Sequence, residues 1–309
     1  MNHILKKYCP RIEFDSYEDF YENFKIDVPE AFNFGFDVVD EWARVEPEKR
    51  ALVWCDDRDE ERTFTFADLS RLSNQAANAF AKLGIGKGDV VMMILRRRWE
   101  YWVCAVALCK LGATIIPASL QLTKKDIVYR ADSARVKAVV CVNDEYVCGQ
   151  MEEALPESPS IENRIIVAGE RDGWTPFDEL IEGESGEFER PTGEGGVTSK
   201  DIMLVYFTSG TTGLAKAVCH NFAHPLGHII TAKYWQQVEE DTLHMSVTDS
   251  GWAKFGWGKI YGQWIAGATI FAYDMDKFVP TKLLQKIQDY KLTTFCAPPT
   301  MYRFMLQED

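Results

Sequence analysis

The sequence predicts an α/β protein built on largely parallel sheets. Three observations carry that expectation. Strand and helix signals alternate along most of the chain, and one segment reads as a complete strand–helix–strand unit. The 309 residues, 46% of them hydrophobic, can also bury the core of about two ordinary domains.

The first strong helix signal is Thr65-Phe66-Ala67-Asp68, a capping box in which the hydroxyl and the carboxylate satisfy each other's backbone N–H groups. Leu69, Leu72, Ala76, Phe80 and Leu83 follow at helical spacing until Gly84 stops the helix. Asp89 to Leu95 then reads as a strand, Trp99 to Leu111 as a helix ending at Gly112, and Ala113 to Pro117 as the next strand. A second capping box, Thr123-Lys124-Lys125-Asp126, opens a short helix that leads to a strand over Lys137 to Val142. Later strands are expected at Ile202 to Phe207, Ala268 to Tyr273 and Thr293 to Cys296, with helices after about Phe222 and over Thr281 to Tyr290.

Between 169 and 200 the composition shifts to Gly, Glu, Ser and Pro, with glycines at 183, 186, 193, 195 and 196. This stretch marks the expected subdomain boundary. The reading is an N-terminal extension over 1–35, a first α/β subdomain over 36–200, and a second, incomplete one over 201–309 that carries the phosphate loop described below.

Composition excludes several classes. With 34 Lys+Arg against 47 Asp+Glu the net charge is -13, which repels polyanions and argues against nucleic acid as a partner. The first 15 residues lack a continuous apolar core, so no secretory signal is read and the cytoplasm is the expected compartment. The longest apolar run, Trp99 to Ala118, is broken by Lys110, Gly112 and Pro117 and reads as a buried helix and strand, not a membrane span. Cysteines at 9, 55, 104, 109, 141, 148, 219 and 296 contain no CxxC pair and are expected to be reduced core residues.

The chemistry sits in Tyr206-Phe207-Thr208-Ser209-Gly210-Thr211-Thr212-Gly213-Leu214-Ala215-Lys216. Six successive hydroxyl or glycine positions follow an apolar strand and precede a lysine. Glycines let backbone N–H groups turn toward an anion, the hydroxyls add donors and the lysine adds a mobile positive charge, so the set suits a polyphosphate. The spacing is not that of GxxxxGK[ST], which makes this a different kind of nucleotide loop.

This segment resembles the signature loop [YF]TSGTTGxPKG of the adenylate-forming superfamily of acyl-CoA synthetases, luciferases and peptide-synthetase adenylation domains. Ala215 stands where proline is usual and Ala217 where glycine is usual. Phe64 to Leu69, Leu111-Gly112-Ala113 through Pro117, and Ala297-Pro298-Pro299-Thr300-Met301-Tyr302-Arg303 resemble further motifs in the expected order. Thr248-Asp249-Ser250-Gly251-Trp252 is similar to the TDxGW segment of acetyl- and medium-chain acyl-CoA synthetases.

The resemblance implies the layered αβαβα large N-terminal domain of these enzymes, truncated and lacking the small C-terminal domain. It implies ATP-dependent activation of a short- or medium-chain carboxylic acid to acyl-AMP, then thioester formation with coenzyme A, with magnesium at the triphosphate. Thr208, Ser209, Gly210, Thr211, Thr212, Gly213 and Lys216 would hold the ATP phosphates, Lys216 would stabilise charge on departing pyrophosphate, and Trp252 would border the acyl group. No protein metal ligand is assigned. The adenine-contacting motif, the ribose aspartate and the adenylation lysine of the family have no counterpart here, so the chain is expected to be an N-terminal fragment, inactive by itself. Two alternatives stay open: transfer to a carrier-protein thiol, and a nucleotide-binding module without turnover.

His220, His224 and His228 recur at i, i+4 and i+8, but Pro225 interrupts the run and no acidic or cysteine cluster joins it, so a structural role is expected. His220 also matches a histidine position seen in the medium-chain branch. Trp252, Phe255 and Trp257 lie beside glycines, and composition alone favours a core role for them. The resemblance shifts Trp252 toward the acyl pocket. Lys254 is read equally as a solvated charge or a substrate contact.

Overall fold

The computed structural model describes residues 2–208 and 214–308. A hairpin of β1 (Arg50–Asp56) and β2 (Glu61–Thr65) comes first, followed by β3 (Val90–Ile94), β4 (Thr114–Pro117), β5 (Val136–Val142), β6 (Asn163–Val167) and β7 (Thr175–Pro176). Then come β8 (Ile202–Thr208), β9 (Lys216–Asn221), β10 (Leu243–Ser246), β11 (Thr269–Asp274) and β12 (Thr294–Cys296). They form a seven-stranded sheet in the order β7-β6-β5-β3-β4-β8-β9 and a five-stranded sheet in the order β12-β10-β11-β1-β2. All pairings are parallel except the hairpins β1–β2 and β8–β9.

Local signals place their elements where the sequence predicts. Thr65 and Asp68 form the first capping box, Thr123 and Asp126 the second. Gly112 closes the Glu100–Leu111 helix in the left-handed region at φ 75°, a conformation that glycine adopts without the Cβ clash. Every residue of that helix is buried, so it is covered on all sides. Its two charged members are neutralised locally: Lys110 Nζ donates to Asp40, Ser73 and Asn74, and Glu100 accepts from Arg98. Buried charges persist only when paired in this way.

The structure refines three expectations. The boundary expected at 200 does not separate the sheets, because β1 and β2 join β11 while β8 and β9 extend the sheet from β4. The Gly-rich stretch carries the chain from β7 to β8 within one sheet, held down by Asn74, Gln75 and Asn78, whose side chains donate to carbonyls of residues 184–187. Residues 1–35, read as an N-terminal extension, contribute to the main core. Ile4, Leu5, Tyr8, Phe32 and Phe34 belong to the main core, and the Asn2 amide donates to the Ile265 carbonyl. The helix expected after Phe222 is present but irregular: His224–Gly227 opens it with Pro225 in the first turn, where a missing N–H is tolerated, and a wide π turn over Thr231–Trp235 follows. The cysteines are free thiols, six of them buried, with Cys219 exposed and Cys296 half-buried.

His244 in β10 ties the five-stranded sheet to the segment behind it. Its Nε2 lies 2.9 Å from the Gly258 carbonyl and its Nδ1 2.8 Å from the Thr294 hydroxyl, so the neutral ring has a partner on each side. Burial, against the opposing pull of that carbonyl and assisted by Lys259 and Lys254, pushes its pKa down to about 4. Between that value and its unfolded pKa of about 6.5 the unfolded chain binds the extra proton, so stability is full above the unfolded value and falls as pH drops. His244 alone should cost about 2 kcal/mol of stability on going from neutral pH to pH 5. Urea unfolding across that range should show a shallower pH dependence in His244→Gln than in the wild type. Equal slopes would remove His244 from the account.

Candidate active site

The carboxyl ends of β4 and β8 and the turn that follows β10 border one cavity, the place where parallel α/β sheets leave a crevice. After β4 the chain turns through Ala118 and Ser119; after β10 it turns through Thr248 to Trp252. Asp249 Oδ1 accepts the Gly251 N–H at 2.9 Å and the Asp249 carbonyl accepts the Trp252 N–H at 3.2 Å, which gives this second turn its shape. Gly251 lies directly on the first turn: a Cβ there would fall 2.5 Å from Ser119 Cα and 2.6 Å from the Ala118 carbonyl carbon. Only glycine permits that approach.

Between the two turns lies a cavity of about 380 Å³. Its walls include Ser119, Arg130, Tyr206, Phe207, Thr208 and Trp252. Thr208, the last residue of β8, stands opposite Lys216, the first of β9, in the antiparallel register. The structure thus sets Thr208 and Lys216, which flank the predicted phosphate loop, side by side, with Thr208 in the cavity wall. Ser209, Gly210, Thr211, Thr212 and Gly213 lie outside the described residues.

The aromatic group divides three ways. Phe255 is fully buried and packs on Tyr101 and Trp102, with ring centroids 4.5 and 5.1 Å away. Trp257 is half-buried between His228 and Trp235. Trp252 is 67% exposed and forms part of the cavity wall. Composition favours core for all three and holds for Phe255 alone.

The three histidines line up despite Pro225. Ring centroids are 4.2 Å apart for His220 and His224 and 4.5 Å for His224 and His228, and the Nε2 atoms of His224 and His228 are 3.1 Å apart. Burial, reinforced by neighbouring histidines, pushes His224 down to about 3 and His228 to about 4; burial also lowers His220. At neutral pH the row is uncharged, so one of the facing Nε2 atoms carries a proton that the other accepts. Among the described residues no group of three or more His, Cys, Asp or Glu side chains is arranged to hold a metal ion.

Arg130 is the functional candidate that sequence reasoning missed. The Lys124–Ala134 helix carries it toward the cavity, 5.1 Å over the Phe207 ring. The signal was present. Ile127, Ala131 and Ala134 form an apolar stripe at helical spacing, and Arg130 sits inside it where an aliphatic residue is the ordinary choice. Among the described residues lining the cavity the cation is Arg130, and Lys216 stands opposite Thr208.

Fold and crevice together define an α/β protein with a ligand-sized cavity at the strand ends of its two sheets. The mitochondrial acyl-coenzyme A synthetase ACSM3 of Pongo abelii is 31% identical over 304 residues, a match covering 96% of this chain and 51% of the relative. The corresponding ACSM4 of Rattus norvegicus is 34% identical over 291 residues, covering 91% and 49%. Among solved structures, an anthranilate CoA ligase, AuaEII, in complex with anthranoyl-AMP has a TM-score of 0.81 at 22% identity, over 92% of this chain and 54% of that one. The acyl-CoA synthetase of Brucella canis has a TM-score of 0.82 at 20% identity, over 95% and 54%. Residues 39–309 match the AMP-binding enzyme family, and the chain belongs to that family. It spans about half the length of the relatives it matches. No helix among the described residues is long and apolar enough to cross a membrane.

Proposed function

We propose that this chain provides the phosphate and acyl sites of an AMP-forming acid–thiol ligase acting on short- or medium-chain carboxylic acids. One observation carries the reading: exposed Trp252 and Thr208, the first residue of the hydroxyl- and glycine-rich loop, line a single cavity, and Lys216 stands in register opposite Thr208. A cavity of that kind, largely apolar with a few convergent polar groups, suits a small acid held against a polyphosphate.

In the first half-reaction a carboxylate oxygen attacks the α-phosphorus of ATP, and the bond to the β-phosphate oxygen breaks to release pyrophosphate. In the second, the sulfur of coenzyme A attacks the acyl carbonyl, loses its proton to solvent, and AMP leaves. Residues 208–213 would hold the β- and γ-phosphates by N–H and hydroxyl donors, and Lys216 would stabilise the charge that builds on the leaving group. Trp252 would bound the acyl chain and exclude water from the reacting carbonyl. Magnesium, when bound, supplies charge screening at the triphosphate, and its ligands are not assigned to described residues. The adenine and ribose contacts and the adenylation lysine are likewise assigned to no residue here, so these 309 residues alone should bind phosphate without turning over.

The test is acid-dependent exchange of labelled pyrophosphate into ATP over acids from acetate to decanoate, with coenzyme A or a carrier-protein thiol then offered as acceptor. It is run on this chain and on the same chain fused to the complementary part of a relative. Exchange by the fused protein with coenzyme A thioester as product is expected, with Trp252→Ala reordering straight-chain and branched acids. Comparable exchange by the 309 residues alone would show that the catalytic set lies within them. An unchanged acid ranking would return Trp252 to a structural role.

A further inference from the structure

We propose that Arg130 is a phosphate-recognition residue of this cavity, a role resting on the ligase reading above. Its side chain is 11% exposed and lines the cavity beside Phe207 and Thr208. Among the described residues it donates one hydrogen bond, from Nη1 to the Asp126 carbonyl at 3.1 Å. The Asp126 carboxylate, 47% exposed, forms an ion pair with it at 3.8 Å, too long for a hydrogen bond. A guanidinium carries five N–H donors in a fixed fork, so most of them remain to meet a ligand.

Packing does not account for an arginine here. Leucine or methionine would cover Phe207 equally well and complete the stripe of Ile127, Ala131 and Ala134, without bringing a charge out of water. The geometry supplies the missing reason. Tyr129, the preceding residue, donates its hydroxyl to the Ala215 carbonyl at 2.9 Å, immediately before Lys216. One helix therefore grips the far end of the loop with Tyr129 and presents Arg130 at its near end, by Thr208.

A forked cation at that position matches the paired oxygens of a phosphate group better than a lysine would. Two co-substrates of the proposed reaction bring phosphates to this place: the triphosphate of ATP, and coenzyme A with its diphosphate and ribose phosphate. Both are the same chemistry to Arg130. They differ in what else they carry, which lets an experiment separate them.

The experiment is calorimetric titration of the 309-residue chain and of Arg130→Met and Arg130→Lys, each checked for fold by circular dichroism. The probes are inorganic pyrophosphate, ATP, coenzyme A, phosphate-free pantetheine and butyrate. Arg130→Met should weaken at least one phosphate-bearing probe by about tenfold or more while pantetheine and butyrate are unchanged, and Arg130→Lys should recover part of the loss. Loss confined to ATP and pyrophosphate assigns the contact to the triphosphate; loss confined to coenzyme A assigns it to that molecule. A folded Arg130→Met that binds all three phosphate probes like the wild type overturns the inference, as does a loss seen only with butyrate. Should Arg130→Met not fold, Arg130→Lys decides: weaker phosphate binding supports the role and parity overturns it. A wild-type chain that binds none of the phosphate probes overturns the ligase reading itself, and this inference with it.

Discussion

Gly251→Ala is expected to pry open the seam between the two sheets and to damage the proposed acyl site more than any substitution of the tryptophan beside it. The added methyl would lie 2.5 Å from Ser119 Cα and 2.6 Å from the Ala118 carbonyl carbon, and both obstacles are backbone. A flexible side chain would swing aside; backbone anchored by β4 cannot, so the Thr248–Trp252 turn must move instead. Overpacking of this kind costs about 1–3 kcal/mol of stability. The displacement carries Trp252 with it, and a shift of about 1 Å in a positioning element commonly lowers rate about 10²-fold. Thermal unfolding and acid-dependent exchange by the fused ligase should both fall. A variant with unchanged melting and unchanged exchange would mean that the two turns are not in firm contact.

Lys216→Ala should be the most costly single change for nucleotide affinity. Lys216 opens β9 directly opposite Thr208, is exposed, and so can direct its ammonium into whatever occupies the loop. A charge-assisted hydrogen bond to phosphate contributes about 1.5–3 kcal/mol, or roughly 10- to 100-fold in affinity. Because the assigned partners are the β- and γ-phosphates, ATP and pyrophosphate should weaken by that factor and AMP by much less. The difference should shrink as salt is raised, since an exposed charge is screened. Calorimetry showing equal losses for ATP and AMP would place the lysine elsewhere.

The parts of this molecule legible in the sequence are those whose cause is local. Two capping boxes, at Thr65 and Thr123, and the stop at Gly112 rest on contacts within four residues, so pattern alone locates the helices they bound. The loop of hydroxyls and glycines was legible as a candidate phosphate loop from its composition, and the phosphate role is proposed. Strands β3, β4 and β5 were legible because a strand buried on both faces is a continuous apolar run.

Arg130 shows the intermediate case. Its charge inside the stripe of Ile127, Ala131 and Ala134 was visible, but a stripe does not say what it faces. Trp252 and Phe255 show the other side of the same limit. Three positions apart and equally aromatic, one borders the cavity and the other is sealed against Tyr101 and Trp102.

By itself the sequence determined the α/β class, the helix ends, and the resemblance that placed the chain in its family; the phosphate role of the loop and its lysine is a proposal. Tertiary structure alone decided which sheet each strand joins, that the first residues are core, that the histidines stand in a row, and that Arg130 and Trp252 share a wall. The physical reason is range. Leu52 of β1 finds Ile270 of β11 across most of the chain, and such parallel pairing is selected by the burial of whole faces rather than by any signal near either residue.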